Sequence, residues 1–247
     1  MLFALSGSIK CHIPGSFTLG SGSVLGMDYL STPLLEKNDV VTLVDLLSRD
    51  PTLWRDGSLT AGEFASAVKQ NKQLDPKSSE AMSGVDFVTK RLVASPLVKS
   101  FSLVKRVHSV MFSKCEEGDG YGWHVDNPFS KHGRRDLSFT IFLSDLDHYQ
   151  GGDLSMQSSQ DSHDVRLPPG HIFLYPSTAL HCVRPIAQGT RLACVGWIES
   201  YVRSSEDRLL LFNLEAGARS LLAKHGRSDE LDLIYQSYVN AVRRLSG

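Results

Sequence analysis

Between residues 107 and 198 the chain falls into eight short apolar runs rich in Val, Ile, Phe and Leu, at 107–112, 122–126, 137–143, 153–156, 164–167, 171–175, 181–185 and 191–198. Turn signals separate them: Gly118-Asp119-Gly120, Gly151-Gly152, Pro168-Pro169-Gly170 and Gln188-Gly189. Short strands at this spacing predict a sandwich or jelly roll. On either side the period is helical. Residues 33–47 carry Leu34, Leu35, Val40, Val41, Leu43, Val44, Leu46 and Leu47 at amphipathic spacing, and 76–95 reads as a second helix, with a polar, turn-rich stretch at 51–76 between them. After Tyr201, Ser204-Ser205-Glu206-Asp207 offers a capping box for a helix carrying Leu209 to Leu211, Phe212 and Leu214, and another helix starts near Asp229. The expected architecture is mainly β with flanking helices packed on the barrel.

Length divides along the same lines. The 247 residues allow one large barrel and a helical appendage. Residues 1–27 read as a flexible leader, since 15–26 is Gly- and Ser-rich without a period and Met27 is an alternative start. A domain over 28–202 and a helical extension over 203–247 follow. The leader lacks a basic region ahead of Leu2 to Leu5, which makes it a poor signal peptide. No run of 18 apolar residues exists, so no membrane span is expected. A net charge of −1 gives no reason to expect nucleic acid or an anionic membrane surface as partner. Cys11, Cys115, Cys182 and Cys194 lack CxxC spacing, which argues against a zinc knuckle or disulfide framework and suits a reducing cytoplasm.

The chemistry sits inside the β region. His124-Val125-Asp126 places two potential metal ligands two residues apart, so an extended backbone turns both to one face. His181 arrives from a distant run. Two imidazoles and one carboxylate, leaving open coordination positions, are the set that non-haem Fe(II) oxygenases use. Arg191, ten residues after His181, is a fixed cation able to hold the far carboxylate of an acidic co-substrate such as 2-oxoglutarate. If 181–185 and 191–198 form a hairpin, a three-residue loop at 187–189 pairs Arg191 with Pro185 and keeps it on the face of His181, roughly 13 Å away at strand rise. A cupin-like metalloprotein using zinc or iron without 2-oxoglutarate, and a non-catalytic iron-sensing barrel, share the fold; Arg191 speaks against the first and the intact ligand set against the second. Of the other histidines, His12, His132, His148, His163 and His225 read as ordinary polar residues, and His108 and His171 as satisfied core or supporting groups. Arg134-Arg135 reads as a solvated loop, Gly151-Gly152 as a strand-linking turn, and Cys182 as a core residue pointing away from the metal.

A longer set of residues is more specific. Tyr121-Gly122-Trp123-His124-Val125-Asp126-Asn127, Asp136-Leu137-Ser138, Phe142-Leu143-Ser144-Asp145, Gly151-Gly152-Asp153-Leu154, Leu174-Tyr175-Pro176-Ser177, His181, Pro185, Arg191 and Gly196-Trp197-Ile198-Glu199-Ser200 resemble the bacterial PKHD-type hydroxylases, small relatives of the prolyl 4-hydroxylase catalytic domain. Upstream the resemblance takes in Thr60-Ala61-Gly62 and Val68 to Asn71; downstream it takes in Arg203, Asp207 and Arg208, so that it spans residues 28 to 246. It implies a double-stranded β-helix, Fe(II) held by His124, Asp126 and His181, 2-oxoglutarate held by Arg191, and L-ascorbate as reductant. Dioxygen is then the second co-substrate, with succinate and CO2 as products. By analogy the substrate is a peptidyl proline or an amino-acid-like compound, with a small metabolite equally open. One departure stands out: Cys115 occupies a place where relatives carry tyrosine, and Tyr121 and Tyr175 are the candidates to replace its hydroxyl near the co-substrate. Asn127 and Thr178 are expected to support the ligands, and the C-terminal helices to offer a homodimer interface.

Overall fold

The computed structural model describes residues 29–57, 69–157 and 161–247. The expected leader, His12, Cys11, Thr60 to Gly62 and Val68 lie outside these residues. In chain order the strands are β1 (Leu30–Pro33), β2 (Trp54–Asp56), β3 (Lys69–Gln70), β4 (Lys72–Leu74), β5 (Val104–Cys115), β6 (Gly120–His124), β7 (Phe129–Ser130), β8 (Gly133–Arg134), β9 (Leu137–Phe142), β10 (Tyr149–Gly151), β11 (Leu154–Gln157), β12 (Ser162–Val165), β13 (His171–Pro176), β14 (His181–Val183), β15 (Ile186–Gly189) and β16 (Arg191–Ser200). A seven-stranded sheet runs β1-β13-β9-β16-β5-β4-β2 and faces a five-stranded sheet ordered β12-β11-β14-β6-β3. From β5 onward the chain passes back and forth between the two sheets, with β5, β9, β13 and β16 in the larger and β6, β11, β12 and β14 in the smaller, as a jelly roll requires.

Alternation along the strands of the larger sheet builds two different faces. Leu137, Phe139 and Ile141 of β9, Ile172 and Leu174 of β13, and Leu192, Cys194 and Ile198 of β16 join one apolar cluster on the helical side. Three helices, α1 (Lys37–Ser48), α2 (Ser79–Ala94) and α3 (Pro96–Ser102), bring Val40, Leu43, Leu47, Val88, Leu92, Val98 and Phe101 into that cluster. Serine caps start two of them: Ser78 accepts from the Ala81 amide and Ser95 from that of Val98. The opposite face looks into the space between the sheets. There Phe142, Phe173 and Tyr175 pack on Leu154, Met156 and Val165 of the smaller sheet. Two further helices, α4 (Ser205–His225) and α5 (Asp229–Leu245), follow β16. The first docks by Phe212, edge-on to Phe101 at 5.4 Å between ring centres, and by Arg208, which donates to the carbonyls of Val202 and Arg203 at 2.8 Å each.

All eight apolar runs are strands, and the predicted helices are present with shifted edges. The stretch at 33–47 divides into the end of β1 and α1, and 76–95 into a turn and α2, with α3 beyond it. The turn-rich stretch at 51–76 holds more than turns. Its two- and three-residue strands extend both sheets, and the chain changes sheet at Asn71 between β3 and β4.

The expected hairpin from His181 to Arg191 does not form. The strand β14 belongs to the smaller sheet and β16 to the larger one, while Ile186–Gly189 pairs with Tyr149–Gly151 in a small separate ribbon. Arg191 is registered with Cys115 of β5 instead of Pro185. The residues that read as a turn are therefore a crossing between sheets, and a long-range partner in β10 makes them a strand.

Candidate metal centre and co-substrate pocket

Register brings the two histidines together. His181 of β14 lies directly opposite His124 of β6, so both imidazoles leave the same face of the smaller sheet, with ring centres 4.2 Å apart. Asp126 follows just past the end of β6. One donor atom from each of His124, Asp126 and His181 lies within 4.8 Å of the other two. The histidines are oriented alike: His124 Nδ1 contacts the Gly122 carbonyl at 2.8 Å and His181 Nδ1 the Ala179 carbonyl at 2.9 Å. A carbonyl only accepts, so each Nδ1 carries the proton and each Nε2 keeps a lone pair for a metal. Burial, then the neighbouring His181, hold His124 well below the usual histidine range, which favours the neutral form that a metal needs.

Asp126 is fixed from the opposite sheet. Its Oδ2 accepts from Ser138 Oγ at 2.6 Å and from Trp197 Nε1 at 3.0 Å. Ser138 in turn lies 2.8 Å from Ser177 Oγ. These are the supporting groups that the sequence did not reveal. Thr178, expected in that role, is exposed, and Asn127 sits at the cavity rim.

The triad opens on a cavity of about 290 Å³ between the sheets. Tyr121 stacks on His124 at 3.6 Å between ring centres, and Tyr175 stands edge-on to His181 at 5.1 Å. Burial pushes the Tyr121 phenol up to about 12 and that of Tyr175 well above its ordinary value, so both remain hydroxyl donors. Lys69 approaches the Tyr121 ring at 5.4 Å and is lowered to about 8 by burial.

Arg191 lines the same cavity from the larger sheet. It is only 3% exposed, its guanidinium lies 5.3 Å from the centre of the Phe142 ring, and its Nε and Nη2 are buried without a partner. Gly152 packs against its stem, where an added Cβ would lie 3.0 Å from Arg191 Cδ. Gly151-Gly152 links β10 to β11 as expected, and this contact with Arg191 is a further role. A buried cation with unpaired donors is costly, and a carboxylate is the partner that offsets the cost. Cys115 lines the cavity beside Arg191.

Three other readings change or hold in detail. His108 is satisfied through the Arg134 carbonyl at 2.8 Å, whereas His171 has a buried Nδ1 without a partner. Neither arginine at 134–135 is a solvated loop residue. Arg134 pairs with Asp136 and Glu199, and Arg135 lies over the Trp197 ring at 4.0 Å inside the cavity. Cys182 is buried and outside the cavity lining, as alternation predicts.

The chain is similar to known proteins. Residues 110–199 match the 2OG-Fe(II) oxygenase superfamily. A PKHD-type hydroxylase of Synechococcus sp. strain CC9902 is 61% identical over 221 residues, which cover 90% of this chain and 100% of that protein. The chain belongs to the PKHD-type hydroxylases. A PKHD-type hydroxylase of Synechococcus sp. strain CC9605 is 57% identical over 89% of this chain and 100% of its own length. Among solved structures, a prolyl hydroxylase from Trichoplax adhaerens, in complex with a hypoxia-inducible-factor peptide fragment, superposes with a TM-score of 0.51 at 17% identity over 74% of this chain and 86% of that one. That likeness bears on the fold, a jelly-roll core. As a PKHD-type hydroxylase the protein is an oxygenase that depends on Fe(II) and 2-oxoglutarate. Its residues suit both groups: a His-Asp-His donor set with free Nε2 atoms, and a buried guanidinium lacking an anion. Among the described residues no helix is long and apolar enough to cross a membrane.

Proposed function

We propose that His124, Asp126 and His181 hold the Fe(II), that Arg191 binds the far carboxylate of 2-oxoglutarate with Tyr121 and Tyr175 at the sides, and that the enzyme hydroxylates an amino-acid-like or peptidyl substrate. The carrying observation is that one cavity receives the His-Asp-His cluster from the smaller sheet and the unpaired, buried guanidinium of Arg191 from the larger one. Bound Fe(II) and 2-oxoglutarate supply the activation of dioxygen, with succinate and CO2 released and one oxygen atom entering the substrate. The protein's part is positional. The backbone carbonyls of Gly122 and Ala179 fix the imidazole tautomers, Ser138 and Trp197 hold Asp126 in place, and Phe142 and Gly152 keep the Arg191 side chain in one channel. A metal site working without a 2-oxo acid has no use for Arg191.

L-Ascorbate belongs to the proposal as the reductant that returns the metal to Fe(II) after uncoupled turnover. A cytoplasmic setting agrees with Cys115, Cys182 and Cys194 all being free thiols. The division into a catalytic unit over 28–202 and a helical extension over 203–247 is retained, and a homodimer through α4 and α5 would cover Leu210, Leu233 and Val239, which are exposed there.

The deciding experiment is an anaerobic titration of Fe(II) into metal-free protein with 2-oxoglutarate, following the visible charge-transfer band of an iron-bound 2-oxo acid. Wild type should give the band, His181→Ala should not, and Arg191→Ala should need at least tenfold more 2-oxoglutarate. Folded wild type without a band would overturn the assignment.

A further inference from the structure

Arg135 is a second cation in the cavity that the co-substrate does not account for. Its guanidinium carbon lies 4.0 Å over the centre of the Trp197 ring, whose Nε1 holds Asp126, and its Nε is buried without a hydrogen-bond partner. The acids closest to it in sequence and register are taken: Asp136 and Glu199 pair with Arg134, and Glu199 also with Lys105 and Arg106. Among the described residues that line the cavity, Asp126 is the one carboxylate, while Lys69, Arg135 and Arg191 are cations. Asp126 already accepts from Ser138 and Trp197 and faces the metal position.

Charge then decides what is missing. The two charges of Fe(II) are matched by the two of 2-oxoglutarate. Asp126 offsets one of Arg135 and Arg191, and leaving Lys69 to nearby Asp56 still leaves one cation of the cavity uncompensated. Arg135 is half-buried with its Nε shielded and unpartnered, and a ligand filling the cavity would remove more water from it, so the remaining ligand should bring the anion. The cation–π contact with Trp197 restrains the guanidinium in advance, so that less freedom is lost when a two-oxygen anion meets it.

We infer that the substrate presents a free carboxylate to Arg135, as a free amino acid or the C-terminal residue of a chain does and an internal peptide residue does not. This rests on the hydroxylase reading above and narrows its substrate. It makes Arg135 a specificity-determining residue, set apart from Arg191 by ligand: one guanidinium for the co-substrate, the other for the substrate.

The test uses the full chain loaded anaerobically with Fe(II) and 2-oxoglutarate, whose charge-transfer band reports a second ligand entering the cavity. The probes are the free amino acids, their carboxamides and methyl esters, C-terminal dipeptides, and the same residues blocked at both ends. Free acids or C-terminal dipeptides should perturb the band at concentrations at least tenfold below those of the matching amides and esters. In Arg135→Gln that ratio should fall towards one, and Arg135→Lys should recover part of it. The inference is overturned if amides or internal residues bind as well as acids, if no acid perturbs the band, or if Arg135→Gln leaves the ratio unchanged. It is also overturned if Arg135→Gln raises the 2-oxoglutarate requirement with no second ligand present, because the guanidinium would then serve the co-substrate. Absence of the band in wild type would instead sink the hydroxylase assignment, so the two failures are distinct.

Discussion

Asp126 shows how much of this site lies in side chains that never touch a ligand. Its carboxylate is held by Ser138 and Trp197, residues that lie 12 and 71 positions along the chain on the facing sheet. Losing either donor frees the carboxylate to rotate, and supporting groups of this kind are commonly worth about 10- to 100-fold in metal affinity. Ser138→Ala and Trp197→Phe should each weaken Fe(II) binding by about that factor, read by anaerobic titration, with the far-ultraviolet spectrum of the fold unchanged. Lys69 gives a pH signature. Burial lowers it to about 8 from an unfolded value of 10.5. Between those values the unfolded chain binds more protons than the folded one, so this residue makes stability rise with pH through that window; below it the buried charge is a constant cost. Subtracting the denaturation midpoints of Lys69→Met from those of wild type, pH by pH, should expose that upward slope. A flat difference would mean Lys69 is as well solvated folded as unfolded.

Elements, more than residues, set what could be read from the chain. The strands between 107 and 198 were legible because each run is long enough to show its β-branched and aromatic character between turn residues. His124, Asp126, His181 and Arg191 stood out because these residue types are rare in apolar strands and fall in two locally spaced pairs, 124/126 and 181/191. Strands β2, β3 and β4, at two or three residues each, are too short to carry any period. The supporting residues were hidden for another reason: Ser138, Trp197 and Arg135 reach the site through the facing of two sheets, which no local window encodes. The crossing at 186–189 misled the reading because Gln188-Gly189 has the chemistry of a hairpin while its pairing partner is β10. The ribbon β10–β15 therefore matters beyond its size, and Gly152 at its end is a sensitive point. Its φ is +70°, and a Cβ there would lie 2.3 Å from Ile186 Cδ1 as well as against Arg191. Gly152→Ala should cost at least about 1 kcal/mol from the backbone alone. It should also raise the 2-oxoglutarate requirement of the charge-transfer band, because the arginine stem is displaced. Unaltered co-substrate binding in a merely destabilised variant would show that the channel around Arg191 tolerates the shift.

At the scale of the molecule, the helices pack on one sheet while the His-Asp-His cluster comes from the other. The α4 helix is anchored through Phe212 on Phe101 and through Arg208 on three carbonyls, those of Val202, Arg203 and Asp136. Phe212→Ala should cost about 3–5 kcal/mol in chemical denaturation, while the fraction still folded binds Fe(II) normally, since the triad lies in the sheet away from these helices. That asymmetry gives the origin of Arg191 its consequence. On the proposed assignment, a co-substrate gripped by Arg191 at one end and by the metal at the other would be a strut between two walls, which are otherwise joined by crossing segments, apolar packing and the hydrogen bonds of Asp126 to Ser138 and Trp197. Metal alone would engage chiefly the smaller sheet, and the 2-oxo acid alone chiefly the larger. Together they should raise the melting temperature by more than the sum of their separate effects, and the surplus should disappear in Arg191→Ala. The enzyme would then be at its most rigid just when dioxygen arrives, and would loosen each time succinate departs.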